Sequence, residues 1–352
     1  MYEQGVIRPP SEASSLLIRV TRNCPWNQCL FCPAYKGVKF SKRTVEEVKS
    51  DIDSMADELG GNSGVRTAFL QDADSLVLPV DDLAAILDHL QRKFPKIDRI
   101  TTYARARTLS HKSIDDLKRL KQAGLTRIHT GMESGSARVL QMIKKGMTPE
   151  EVVTGGRHVM EAGIELSEYI MPGVSGRALS EEHAIETAKL LNIVRPHFIR
   201  VRTFAMHPQS PMQKMVPEGT FVPLTDDEIV AEIRLLVHHL DSVHSYFSCN
   251  DFSLNLLMQV DGFLDEKRED MLKELDAFLA MTKKQRQVYT LLHYGGYGRN
   301  PLSVVYDQNV LDQVVPEIEK LERNGGEHGF DGYIQMLKTY QLPQPQTNNW
   351  CQ

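Results

Sequence analysis

The chain has 352 residues, 41% hydrophobic and 25% charged, with a net charge of −5 and a pI near 6.2. That composition excludes a disordered polypeptide, and no apolar run approaches the roughly 18 residues that would span a membrane. The mild acidity disfavours nucleic acid as a partner, leaving only a local basic patch to contact RNA or an anionic metabolite.

After an N-terminal extension over residues 1–14, the apolar run Leu16-Leu17-Ile18-Arg19-Val20 reads as a buried strand. Directly behind it come Cys24, Cys29 and Cys32, a C-x4-C-x2-C spacing on a short irregular loop. A structural zinc site closes with four ligands, and the nearest histidine is His89, far along the chain. A disulfide framework fits no better, because there are five cysteines, an odd number, and no secretory signal is recognisable. The reading is a reducing, cytoplasmic setting. Three thiolates so spaced reach three irons of a cubane cluster and leave the fourth iron without a protein sulfur. Cys249 and Cys351 are isolated from this trio and support no second cluster.

Strand-like and helical segments then alternate to about residue 205. Helices are predicted at 44–59, 81–93, 113–122, 136–145, 149–162 and 180–193, and strands at 66–70, 99–103, 126–130, 164–171 and 197–204. With the first strand this makes six β/α units, an α/β fold of right-handed crossovers whose strand C-termini share one rim, where ligands collect. Four further helices, at 225–242, 265–281, 283–293 and 308–323, form a mainly helical region over 211–340 that covers the substrate. Gly295 to Gly298 read as an interhelix turn, and residues 341–352 as a loosely ordered tail.

A cysteine loop after the first strand of a β/α half-barrel resembles the radical S-adenosylmethionine (radical SAM) superfamily, over about the first 210 residues. The resemblance implies a partial (β/α)6 TIM-type barrel, a [4Fe–4S] cluster on Cys24, Cys29 and Cys32, and S-adenosylmethionine chelated by the open iron. Phe31 matches the family's C-x-aromatic-C pattern, where the ring packs by the adenine. The usual spacing is C-x3-C-x2-C, so Pro25-Trp26-Asn27-Gln28 contains one extra residue, lengthening the loop by about 3.5 Å at most. The segment from Ile128 to Thr148 resembles the fourth-strand region of coproporphyrinogen-oxidase-like, methylthiotransferase and elongator-type members. On that likeness Glu133 holds the ribose hydroxyls, with Ser134 beside it, and Lys145 pairs with the methionyl carboxylate. Gln71, Asp72 and Asp74 stand where the family has a Gly-Gly-Glu contact to the methionyl ammonium. Ser167 is expected at the ribose and Met171, before a Pro-Gly turn, near the adenine.

On the substrate side, Arg105 ends the third strand, while Arg200 and Arg202 share one face of the sixth. Inward arginines need acidic partners, whether a substrate carboxylate or phosphate, the methionyl carboxylate, or internal aspartates such as Asp72. His207, Met206 and the segment 244–252 are expected to close the barrel mouth, with Tyr246 and Cys249 as candidate hydrogen-atom donors. The resemblance implies reductive cleavage of S-adenosylmethionine and hydrogen abstraction from a small-molecule, anionic substrate, with flavodoxin or ferredoxin as reducing partner. Two alternatives use the same scaffold: a haem or metal-trafficking chaperone, and an RNA-modifying enzyme.

Overall fold

Short runs of β-branched and apolar residues are buried here as parallel strands, each followed by an amphipathic helix that shields its outward face. The computed structural model describes residues 2–5, 7–60, 64–251, 253–296, 300–325, 329–340 and 342. Its first half runs β1 (Leu16–Arg19), β2 (Thr21–Arg22), β3 (Ser41–Lys42), α1 (Val45–Leu59), β4 (Thr67–Gln71), α2 (Val80–Lys93), β5 (Arg99–Ala104), α3 (Ala106–Ser110), α4 (Ile114–Gln122) and β6 (Leu125–Glu133). The chain continues through α5 (Ala137–Met142), α6 (Pro149–Glu161), β7 (Glu165–Ile170), α7 (Ser180–Val194), β8 (Phe198–Val201) and α8 (Asp226–His239). It ends with β9 (Tyr246–Ser248), β10 (Asp261–Phe263), α9 (Leu264–Leu279), α10 (Lys283–Tyr294), α11 (Gln308–Asn324) and α12 (Phe330–Tyr340). Threonines cap several of these helices: Thr44, Thr148 and Thr225 each accept from a backbone N–H three residues on, and Glu47, Glu151 and Glu228 reciprocate.

Among the described residues the main sheet has eight strands in the order β1-β4-β5-β6-β7-β8-β9-β10. The first seven are parallel and β10 lies antiparallel on β9, so the fold is an α/β partial barrel with a mainly helical C-terminal part. All six strands expected from the alternation are present. Tyr246–Ser248, expected as mouth-closing loop, is instead a seventh parallel strand paired with β8. Three residues are too few to carry a readable period, and β9 is held by Phe247, which is fully buried. The helix expected over 136–145 stops at Met142, because Lys144 turns left-handed at φ 52° and brings Lys145 back toward the sheet. Tyr297 and Gly298 of the glycine-rich turn, and all of the tail but Leu342, lie outside the described residues.

Ile18, Leu70 and Ile100 point outward into a core shared with α1, α2 and α4. Ile170, Ile199 and Phe247 do the same under α7, α8 and α9. The inward face carries a row of rings, Phe69, Tyr103, His129 and Tyr169, one from each of β4 to β7, with neighbouring centroids 5.1, 6.0 and 6.1 Å apart. The N-terminal segment runs along these inner strands. Glu3 pairs with Arg19 at 2.8 Å, the Gly5 N–H donates to the Gln71 side chain at 2.9 Å, and Glu12, fully buried, accepts from Ser15 at 2.6 Å and Arg99 at 3.3 Å. No helix among the described residues is long and apolar enough to cross a membrane.

Phe69 is fully buried beneath the inner face and meets Tyr103 edge-on. Phe69→Ala is expected to cost about 3–5 kcal/mol, read as a lower urea midpoint with an unchanged slope; an unchanged midpoint would show that the ring row does not bear on the barrel.

Candidate active site

At the C-terminal ends of the strands lies a cavity of about 500 Å³, within the range of small-molecule sites. Its wall includes Cys24, Cys29, Cys32 and Phe31 from the loop after β2, Arg105 after β5, Glu133 ending β6, and Lys145 after α5. The loop is fixed by its own side chains and by the turn after α5. Asn23 and Asn27 are left-handed, at φ 70° and 47°, a conformation asparagine tolerates, and their amides donate to the carbonyls of Lys39 and Tyr35. The Trp26 indole donates to the Lys144 carbonyl at 2.8 Å, and the Leu30 N–H to that of Ile143 at 2.9 Å. The extra residue in the first cysteine gap is thus absorbed by a left-handed Asn27. Gly146, at φ 67°, admits the Trp26 ring where any β-carbon would collide with it.

Glu133 is also left-handed, at φ 59°, beside a register shift between β6 and β7. Its carboxylate meets the Lys145 ammonium at 2.6 Å. A β-carbon at Gly131 would strike both side chains, so glycine makes the room for this pair. Burial pulls Lys145 down most strongly, but the Glu133 carboxylate holds it above its ordinary value. Lys145 also stands 5.7 Å over the Phe31 ring, and Arg105 stacks 5.2 Å over Trp26 while donating to the Gly146 carbonyl at 2.9 Å.

Burial raises both Cys29 and Cys32, the latter to about 11, so these thiols are protonated until a metal displaces the proton. No three Cys, His, Asp or Glu side chains among the described residues gather closely enough to hold a single metal ion. Three thiols are one ligand short of a closed structural zinc site and match a cubane with one open iron. Cys249, remote from the trio, supplies no fourth sulfur.

Several expected site residues face elsewhere. Gln71 spends its amide on Gly5, accepting from its N–H and donating to its carbonyl at 3.2 Å. Asp72 is saturated by the Arg19 guanidinium at 2.9 Å, the Asn23 N–H at 2.9 Å and the Tyr35 hydroxyl at 3.3 Å, so it is neither an ammonium site nor the partner of Arg200 or Arg202. Asp74, fully buried, accepts from Thr108 at 2.5 Å, and burial raises it to about 6. Ser134 is buried against His183 at 2.8 Å, and Ser167 against Arg200 at 3.0 Å. Arg200 thus sits two residues below the cavity wall, 5.1 Å over the Phe198 ring. Arg202 does reach the wall and finds its acid in Asp251, at 2.9 Å. Tyr246 donates to Asp261 and packs on Phe263 at the far edge of the sheet. Cys249 lies in the helical core beside a void of about 10 Å³. Neither can give a hydrogen atom to a ligand in the cavity.

Met171 lines the cavity, its N–H bonded to the Glu133 carbonyl at 2.9 Å, and His207 lines it too. Sequence reasoning missed Ile7 to Pro10, Tyr103 and Tyr169, which also line the wall. The tyrosines had a signal, since Tyr103 alternates with Arg105 and Tyr169 with Met171 on inward faces. The N-terminal residues had none.

Residues 18–191 match the family model described as the Radical SAM superfamily. An uncharacterized methyltransferase of Pyrococcus horikoshii, PH0819, is 28% identical over 183 residues, covering 50% of this chain and 37% of that protein. The heme chaperone HemW of Bacillus subtilis is 23% identical over 190 residues, covering 53% of this chain and 49% of its own. The chain thus spans less than half the length of either relative. Among solved structures, the cobalamin-dependent S-adenosylmethionine radical enzyme OxsB, with aqua-cobalamin bound, superposes with a TM-score of 0.51 at 14% identity. That likeness covers 93% of this chain and 58% of OxsB, and it concerns the fold.

Behind the Glu133–Lys145 pair, Glu168 is buried on the outward face of β7 and accepts from Thr130 at 2.8 Å, its second oxygen lacking any partner among the described residues. Burial raises it from 4.5 to about 8. Between those two values the folded protein keeps a proton that the unfolded chain has released, so stability falls as pH rises across that window and levels off above it. Glu168→Gln is expected to remove this slope, gaining on the parent by up to roughly 4 kcal/mol between pH 5 and 9. Urea midpoints at both pH values check this, and parallel curves for the two proteins would refute it.

Proposed function

The chain belongs to the radical SAM superfamily, and we propose that within it this protein is an enzyme that abstracts hydrogen from a small-molecule substrate. Members carry a [4Fe–4S] cluster and S-adenosylmethionine. Bound here, they would supply an electron that cleaves the S–C5′ bond and a primary radical that takes hydrogen from the substrate.

The observation that carries the proposal is one cavity lined both by three thiols on a braced loop and by a buried carboxylate–ammonium pair. Cys24, Cys29 and Cys32 are the residues to hold the cluster. Glu133 offers a carboxylate to the ribose hydroxyls, and Lys145 and Arg105 offer cations to the methionyl carboxylate. Phe31 and the Met171 backbone line the cavity where they would flank the adenine. Tyr103 and Tyr169, with Phe69 and His129 of the same ring row, keep bulk water from the reacting carbon, and positioning is the chief service the chain renders. A volume of about 500 Å³, shared with the nucleotide, favours a small substrate. A one-electron donor such as flavodoxin or ferredoxin is required.

A second reading draws on HemW, a heme chaperone in name: the same scaffold would bind haem without turnover. PH0819, a methyltransferase in name, adds methyl transfer as a variant of the enzymatic reading.

After anaerobic reconstitution and chemical reduction, the protein is expected to bind iron and sulfide and to release 5′-deoxyadenosine from S-adenosylmethionine. Cys29→Ala is expected to lose both properties. Glu133→Gln should keep its iron and bind S-adenosylmethionine about tenfold more weakly, a difference of roughly 1.4 kcal/mol. Zinc in place of a cluster, or a cluster with no open iron, sinks the proposal; haem retention without nucleoside release selects the chaperone, and S-adenosylhomocysteine release selects methyl transfer.

A further inference from the structure

His207 is 4% exposed and lines the cavity. Its Nδ1 accepts from the Gln209 N–H at 3.0 Å, which places the ring proton on Nε2. That Nε2 is buried with no partner among the described residues, a donor without an acceptor. On the wall of the same cavity, no hydrogen bond joins the Tyr103 or Tyr169 hydroxyl to another described residue. Burial holds both phenols above their ordinary value, Tyr169 at about 12, so each keeps its hydrogen. Arg202 gives one nitrogen to Asp251 and keeps the rest of its fork, and Arg8 of the N-terminal segment adds an exposed guanidinium at the edge.

The two carboxylates nearby already face cations. Glu133 is closed on Lys145 and Asp251 on Arg202. The wall thus presents one buried donor, two half-buried phenols and the open part of a guanidinium fork, with the exposed Arg8 as a cation at its edge. Such a set is costly until something rich in lone pairs and negative charge fills it.

We propose that His207, Arg202, Tyr103 and Tyr169 form a binding subsite for the carboxylate or phosphate group of a small anionic substrate, with Arg8 supplying further charge from the N-terminal segment. This rests on the reading of the cavity as a radical enzyme's active site. The anion's acceptor oxygens satisfy the Nε2–H and the phenols, and the free edge of the Arg202 fork takes two oxygens side by side. Phe204 and Leu254 give the remainder of the substrate an apolar surface. The substrate is oriented by its charged end, leaving its C–H bonds toward the cluster loop.

The test is calorimetric titration of the anaerobically reconstituted full chain, with S-adenosylmethionine present, using succinate, inorganic phosphate and neutral succinamide. Saturable binding of succinate or phosphate is expected, the better of the two identifying the headgroup, with succinamide at least about tenfold weaker. His207→Leu and Arg202→Gln are expected to lose roughly tenfold or more in anion affinity, whereas His207→Gln, which keeps an N–H donor, should recover most of it. Arg8→Gln, a change in an exposed side chain, should lose about two- to threefold, and only at low salt. Iron content and thermal midpoint report whether each variant has folded. The proposal is overturned if neither anion binds by about 10 mM, if succinamide binds as well as succinate, or if His207→Leu weakens S-adenosylmethionine as much as the anion. Absence of nucleoside release alongside intact anion binding would instead sink the radical-enzyme reading and leave the subsite standing.

Discussion

The Glu133–Lys145 ion pair is the contact on which the rest of the cavity depends. Two buried charges are tolerated only while they face each other, and losing one partner of such a pair typically costs about 3–5 kcal/mol. Holding them together requires three local departures from regular structure: a left-handed Glu133, a register shift in β6, and a glycine at 131. The turn that brings Lys145 inward also presents the Ile143 and Lys144 carbonyls that anchor Leu30 and Trp26 of the cysteine loop. One short turn therefore sets both the charge pair and the seat of the three thiols. Backbone strain at such a junction is maintained because the surroundings over-determine it.

This dependence explains which parts of the molecule the sequence made legible. Strands β1 and β4 to β8 carry their own apolar runs and are each followed in the chain by a helix, so local pattern suffices for them. The cysteine spacing and the twelve-residue step from Glu133 to Lys145 are likewise local. Strand β9 is recruited by packing of Phe247 rather than by pattern, and a three-residue β10 follows it. The misplaced candidates share one cause. Gln71, Asp72 and Asp74 end a strand where the family binds a ligand, but position along a strand does not reveal which groups arrive from elsewhere. Gly5, Arg19 and Thr108 come from 66, 53 and 34 residues away. Asp251, 49 residues beyond Arg202, was hidden in the same way.

The N-terminal segment is the largest feature without a local signature. Its residues have no period, yet Glu3 meets Arg19 and Arg22, and Glu12 meets Arg99. Those pairings hold the segment along the strands whose inward side chains frame the cavity, and so an extension without periodicity becomes part of the wall. Its prolines suit the task, since Pro9 and Pro10 arrive with restricted backbones and lose little entropy on being laid down.

Electrostatic balance within the cavity links these observations. Without a ligand, Lys145 is neutralised by Glu133 and Arg202 by Asp251, while Arg105 is met by backbone carbonyls. A ligand carrying its own carboxylate can take the Lys145 ammonium only as its hydroxyls replace that cation on Glu133. The exchange conserves the number of buried charges that face a partner, so desolvation already borne by the ion pair is not incurred again. A ligand with the carboxylate but no hydroxyls would strand Glu133, and one with hydroxyls alone would strand Lys145. Discrimination thus arises from what an incomplete ligand leaves unpaired, and it requires the pair to be as buried as it is.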